Sequence, residues 1–208
     1  MAYSTEDLVI MDSIIKRYPR SRSSIMPLLH FVQSRIGYVD GEGIELIAKL
    51  LTLETAEVSA VASFYTQYKR KSVGEYHVGV CTNTLCAVMG GDAIFAGLKA
   101  HLGVENDGVT ADGKVSLEHI ECNAACDYAP VVMANWEFYD NQTVQSAKDL
   151  VDSMRQGNPQ PPTRGPNSLV TWKEASAVLA GINDGKAHEG IQAGEPSLLG
   201  LKISKEGK

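Results

Sequence analysis

The four cysteines of this chain lie in two short stretches, Cys81-Thr-Asn-Thr-Leu-Cys86 and Cys122-Asn-Ala-Ala-Cys126, spaced C-x4-C and C-x3-C with a long span between. Thiolates are soft ligands, and four of them suit zinc or an iron–sulfur cluster. Structural disulfides are the plainer reading, but no secretory signal precedes the cysteines and a chain of this size does not need staples for want of a core. A dithiol redox site needs C-x-x-C, which neither pair offers. Zinc knuckles space their ligands by two to four residues, and the favoured C-x2-C is missing from both halves. A [2Fe–2S] cluster on four thiolates remains, although the spacing differs from the plant-type C-x4-C-x2-C pattern. On spacing alone both metals stay open. Each pair follows a strand-like run: Tyr76-His-Val78-Gly-Val80 before the first, Val115-Ser-Leu117-Glu-His-Ile120 before the second. Two strands ending side by side would bring both pairs to one sheet edge.

Further motifs stand around the cysteines. Glu121-Cys122 and Ala125-Cys126 are followed closely by Ala129-Pro130, Val61-Ala-Ser-Phe64-Tyr65-Thr66 lies upstream, and Leu28-Leu29-His30 lies further upstream. In this order they resemble the 24 kDa subunit family of NADH:quinone oxidoreductase (respiratory complex I), whose bacterial member is often called the E subunit. The same module occurs in NAD-linked hydrogenases and formate dehydrogenases. The resemblance covers about residues 12 to 157. It implies a thioredoxin-like domain with one [2Fe–2S] cluster on Cys81, Cys86, Cys122 and Cys126. It also implies that FMN and NADH are bound by a partner subunit, and that this chain takes or stores one electron from the flavin, off the main electron path. One departure stands out. The family usually reads E-C-L-G-A-C where this chain has Asn123 and Ala124, and alanine cannot take a positive φ as cheaply as glycine.

Composition narrows the partners. The chain has 208 residues, 44% apolar and 21% charged, with a net charge of −6. No apolar run approaches the ~20 residues of a membrane helix. The acidic balance argues against nucleic acid, which calls for a basic stripe. The N-terminal Met1-Ala-Tyr-Ser-Thr-Glu-Asp reads as neither a signal nor a transit peptide. These features predict a cytoplasmic protein, and the resemblance implies that it is held on the inner face of a bacterial plasma membrane only through partners. The resemblance makes those partners the FMN/NADH-binding subunit and other peripheral-arm subunits.

The elements that must position the cysteines follow from periodicity. Residues 1–72 predict a helical bundle of four helices. The first is capped at Ser4 with acids in its first turn and carries Leu8, Met11 and Ile14 until Pro19. The second is capped at Ser23 or Ser24 and ends at Gly37; the third follows Asp40. The fourth runs through Val58, Val61, Ala62, Tyr65 and Tyr68 to Lys69-Arg-Lys71. Residues 73–157 alternate strand and helix: a strand before each cysteine pair, a helix carrying Ile94 and Leu98 that ends at Gly103, a hairpin over 131–139, and a last helix capped at Thr143. The fold class expected is α+β, a helical bundle followed by a thioredoxin-like domain, which the resemblance implies carries the [2Fe–2S] cluster. Residues 158–208, rich in Pro, Gly and Asn, predict an extended tail with one short helix over 171–180.

The chemistry expected is one-electron transfer. Neither loop holds lysine or arginine, while Glu121 and Asp127 adjoin ligands, so a low reduction potential is expected. The start of the helix after Cys86 can turn its positive end to the site, and Gly90-Gly91 permits close backbone approach. No acid–base or nucleophile constellation is present: His77, His101, His119 and His188 are scattered, and no G-x-G-x-x-G marks a nucleotide site. The chain is therefore read as a subunit of an oxidoreductase without a complete active site of its own. A zinc-stabilised interaction module is the reading from another class. His30, Phe64 and Tyr65 are candidates for partner contact, and core packing is their simpler role.

Overall fold

The computed structural model describes residues 3–207. Met1 and Ala2, the first of the residues read as free of a targeting signal, lie outside the described residues, as does Lys208. The chain forms two compact units, Met1–Val73 with Thr171–Asp184, and Gly74–Val170 with Gly185–Lys208.

In the first unit, α1 (Thr5–Ile15) begins at a reciprocal cap in which the Ser4 hydroxyl accepts from the Asp7 amide and the Asp7 carboxylate accepts from the Ser4 amide. Helix α2 (Ile25–Ile36) buries Leu28, Leu29 and Val32 and stops where Gly37 turns left-handed at φ 92°. Helix α3 (Gly41–Leu51) starts at Asp40, whose carboxylate accepts from the Gly43 amide at 2.8 Å. A Cβ on Gly43 would lie 2.5 Å from Val32 Cγ1, so glycine allows the two helices to close up. Helix α4 (Thr55–Phe64) ends earlier than its apolar spacing predicts. The next residues use their backbone groups on α2 and the chain after it. Lys69 N donates to Gln33 Oε1 at 2.8 Å, the Lys69 carbonyl accepts from Val39 N at 2.7 Å, and Tyr68 Oη donates to the Met26 carbonyl at 3.1 Å. Tertiary hydrogen bonding overrides helical periodicity here.

The second unit is built on a five-stranded sheet of order β2-β3-β1-β4-β5. Strand β1 (Tyr76–Cys81) leads through the short α5 (Thr84–Val88) into α6 (Gly91–Leu102); β2 (Gly108–Val109) and β3 (Val115–Ile120) follow. Strands β4 (Val132–Ala134) and β5 (Glu137–Tyr139) form the hairpin, and α7 (Val144–Arg155) closes the run. β1 and β3 are parallel, and the other neighbours are antiparallel. Alternation along the strands gives each face its own core. Val78, Val80, Leu117 and Val132 pack with Ile94 and Leu98 of α6 and Leu150, Val151 and Met154 of α7. The opposite face carries Cys81, Ile120 and Met133. Each fully buried Leu, Ile or Val adds about 1.5–3 kcal/mol.

Residues beyond 157 serve both units. Thr163 N donates to the Phe138 carbonyl at 2.9 Å, and Arg164 pairs with Phe138 as an antiparallel bridge at the β5 edge. Helix α8 (Trp172–Leu179), capped by Thr171 and Glu174, belongs to the first unit and packs along α2. Its Trp172 is fully buried and donates through Nε1 to the Gly37 carbonyl at 2.8 Å; Gln33 Nε2 donates to Ser176 Oγ at 3.2 Å. Helix α9 (Glu195–Glu206) lies in the second unit with Leu198, Leu199, Leu201 and Ile203 exposed.

Candidate metal centre

Strands β1 and β3 end level with one another, Cys81 in register with Ile120, so both cysteine loops leave the same sheet edge. Cys81 is the last residue of β1 and Cys86 lies on α5; each is 3% exposed. Cys86 thus sits on a five-residue helix of its own, not at the start of the helix carrying Ile94, which begins at Gly91. Cys122 and Cys126 are exposed, the latter opening a 3₁₀ turn over Cys126–Tyr128.

All four cysteines, with Asn123, Ala125 and Val131, line one small cavity. Among the described residues no group of three or more His, Cys, Asp or Glu side chains is disposed to hold a single metal ion. The cysteines instead fall into two pairs. Cys122 Sγ and Cys126 Sγ are 3.9 Å apart. Two thiolates bound at about 2.3 Å to one tetrahedral ion lie roughly 3.8 Å apart, so this pair is spaced to share a metal. Cys81, at the end of β1, and Cys86, on α5, form the second pair on the same cavity. Two pairs around one cavity fit a two-iron group.

Two further donors reach the sulfurs: Asn83 Nδ2 to Cys81 Sγ at 3.8 Å, and Ala124 N to Cys122 Sγ at 3.4 Å. Asn83 also donates to the Ile120 carbonyl at 3.1 Å, tying the first loop to the end of β3. Gly91 opens α6 against the backbone of both first-loop cysteines. A Cβ there would lie 2.4 Å from the Cys81 carbonyl and 2.9 Å from that of Cys86. Ala124 adopts φ 55°, a left-handed conformation that costs an L-residue about 1–2 kcal/mol.

Burial, followed by the neighbouring Cys81 thiol and by Cys126, pushes the Cys86 thiol up to about 11, against a lowering backbone hydrogen bond at Val131. Cys126 is also raised, first by its hydrogen-bonded neighbour Cys122 and that group's charge. Metal loading must therefore release protons. No lysine or arginine lies within either loop. The Arg164 guanidinium lies 5.0 Å from the Tyr128 ring centre and is paired with Asp140 at 3.1 Å.

Other residues singled out by sequence are placed elsewhere. His30 is buried against Tyr68 in the first unit, and burial lowers it to about 4, so it stays neutral; its role is packing. Phe64 is 77% exposed and stacks edge-on with the exposed Tyr65 at 4.9 Å. His77 is buried between Ser116 Oγ at 3.0 Å and Glu118 Oε2 at 3.1 Å, on the sheet face that ends at Cys81. Trp136 packs edge-on against His77 at 5.6 Å, and Tyr139 lies in the core beneath α7. Sequence reasoning missed Asn83, whose only signal is its place between two cysteines, and Ser197, which donates to Asp127 at 2.8 Å across a separation no local pattern reveals.

The family model described as thioredoxin-like [2Fe-2S] ferredoxin matches residues 11–155. The E subunit of NADH-quinone oxidoreductase from Mycobacterium tuberculosis is 58% identical over 194 residues, covering 93% of this chain and 77% of that protein. The E subunit of the same enzyme from Rickettsia bellii is 37% identical over 157 residues, covering 74% of this chain and 94% of its own. Among solved structures, a NAD+-reducing [NiFe]-hydrogenase in the air-oxidised state superposes with a TM-score of 0.58 at 19% identity, over 65% of this chain and 23% of that one. That likeness concerns the fold.

Proposed function

The chain belongs to the thioredoxin-like [2Fe-2S] ferredoxin family, together with the E subunits of NADH-quinone oxidoreductase, and from that premise we propose that it is an electron-transfer subunit holding one cluster on Cys81, Cys86, Cys122 and Cys126. The observation that carries this reading is the convergence of two cysteine pairs from adjacent strand ends on one cavity. When bound, the cluster supplies one-electron exchange with the FMN of a partner subunit, which also binds NADH. The chain's residues set the conditions for it. The sheet edge fixes both loops, Gly91 brings the first turn of α6 against the first, and Asn83 and the Ala124 amide donate to two of the sulfurs. Glu121 and Asp127 place negative charge beside the ligands, so the reduction potential is low. A potential well above zero in an anaerobic titration would contradict that.

No described helix is long and apolar enough to cross a membrane. In this proposal attachment to the inner face of the plasma membrane comes through other subunits of the complex. The exposed Phe64 and Tyr65 are the surface offered to the flavin-bearing subunit, and Tyr65→Ala should weaken capture of that partner. The deciding experiment is anaerobic purification from the native complex, with iron, sulfide and zinc measured and an EPR spectrum recorded after dithionite. Iron and sulfide in equal amounts with a one-electron paramagnetic signal are expected. Zinc without sulfide would make the chain an interaction module. The subunits that purify with it separate a quinone oxidoreductase from a hydrogenase or formate dehydrogenase.

A further inference from the structure

The family model ends at residue 155, and the Rickettsia relative accounts for 74% of this chain, so the tail asks for its own explanation. Its last part, beginning at Gly185, rejoins the unit that holds the cysteines. Two joints attach it. Ile191 accepts through its carbonyl from Gly165 N at 2.8 Å, and Gly190 lies so close to the Gly165 carbonyl that a Cβ would be 2.1 Å away. The 163–165 segment is itself bonded to β5, with Arg164 held by Asp140 and lying 4.0 Å from the Phe138 ring centre. The second joint is at the cysteine loop. Gly194 is seated against Tyr128, where a Cβ would lie 2.1 Å from the hydroxyl oxygen, and Ser197 Oγ donates to Asp127 Oδ2 at 2.8 Å.

Both residues gripped at the second joint directly follow Cys126, in the loop whose cysteines are exposed. We propose that residues 190–197 form a clasp on the second cysteine loop, with Gly194 and Ser197 as positioning residues that hold the Cys126–Tyr128 turn in place for the metal centre. The clasp acts in two ways. It restrains a turn that lies outside any strand or α-helix, so Cys126 stays where it faces its partner thiols. The Ser197 hydroxyl also offsets charge on the Asp127 carboxylate beside a ligand. This inference rests on the assignment of the cluster to the four cysteines.

The test uses the full-length chain, reconstituted with iron and sulfide, and measures release of iron to a chelator together with amide hydrogen exchange over residues 121–128 in the metal-free protein. Gly194 has an extended backbone, φ −92° and ψ −179°, so alanine there adds a clash with Tyr128 and no backbone strain. Gly194→Ala should speed iron release about tenfold, a typical size for one displaced packing contact. Ser197→Ala should speed it about threefold and lower the reduction potential, and Ser197→Thr should restore both, since the hydroxyl is what acts. Adding Tyr128→Phe to Gly194→Ala makes room for the methyl and should return release to the level of Tyr128→Phe alone. Unchanged release and unchanged exchange in Gly194→Ala and Ser197→Ala, in a chain that loads its cluster, would overturn the clasp. A chain that loads no cluster would overturn the cluster assignment instead, and the exchange measurement would still decide whether the clasp holds the loop.

Discussion

Cys81 and Cys86 are 3% exposed and held by the end of β1, by α5 and by the first turn of α6; Cys122 and Cys126 lie open to solvent in chain that no strand or α-helix supports. The first loop gains its shape from regular hydrogen bonding and from a glycine, Gly91, where nothing larger fits. The second contains a left-handed alanine, a 3₁₀ turn and contacts from a distant part of the chain. One half of the site is fixed by the fold, and the other is held in place by additions to it. The two halves should therefore fail differently.

Gly91→Ala should do the most damage. Its methyl would meet two backbone carbonyls that cannot swing aside, so the metal-free chain should lose about 3 kcal/mol of stability in urea denaturation and its iron content should collapse. If iron content survives, the first loop is less rigid than its contacts indicate. Cysteine reactivity comes next. In the metal-free protein Cys122 and Cys126 should be alkylated about tenfold faster than Cys86 at neutral pH, as mass spectrometry of the peptides would show. Cys86 reactivity should climb with pH toward its raised value of about 11. The same shift has a stability sign. Between the ordinary thiol value of 9.0 and about 11, the unfolded chain loses this proton first, so metal-free stability should fall as pH rises through that window.

Ala124→Gly works in the opposite direction. Relief of the left-handed alanine should raise the stability of the metal-free chain by about 0.5–1 kcal/mol, with little effect on the first loop. A loss of stability would mean the loop's conformation costs less than its φ implies. The smallest effect belongs to Asn83→Ala. Removal of a weak N–H donor from the Cys81 sulfur is worth about 0.5 kcal/mol, which for one electron is a downward shift of about 20 mV in potential. An upward shift would show that Asn83 acts through the Ile120 carbonyl it also holds.

The contrast between the loops also explains what the sequence disclosed. Alternation in Tyr76–Val80 and Val115–Ile120 marked two strands, and their parallel pairing brings the cysteines together as that pattern predicts. Ser4 and Thr143 were legible as caps because capping is local, and Gly37 and Gly103 as ends for the same reason. Non-local features stayed hidden. Helix α4 stops at Phe64 because Gln33, more than thirty residues away, takes the Lys69 amide. Strand β2 is two residues in a stretch dense with turn residues, too short for any period to register. Ser197 and Gly194 carry no motif; only their place against Asp127 and Tyr128 gives them meaning. The cysteine pairs were visible in the sequence, but the support of the second pair was not.

Helix α8 sets an order on how the protein is made. Helices α1–α4 leave the ribosome first, yet the segment that buries Trp172 against α2 and bonds Gln33 emerges only after all of Gly74–Val170. At about 5–20 residues per second, that is a wait on the order of ten seconds. Throughout it, the side of α2 that receives Trp172 is bare on the nascent chain. The strands and loops carrying the cysteines, by contrast, are all in hand by residue 155. The metal-binding unit can thus begin to fold while the earlier-born bundle still waits for its last helix, and its own segment Gly185–Lys208, with the 190–197 clasp, arrives later still.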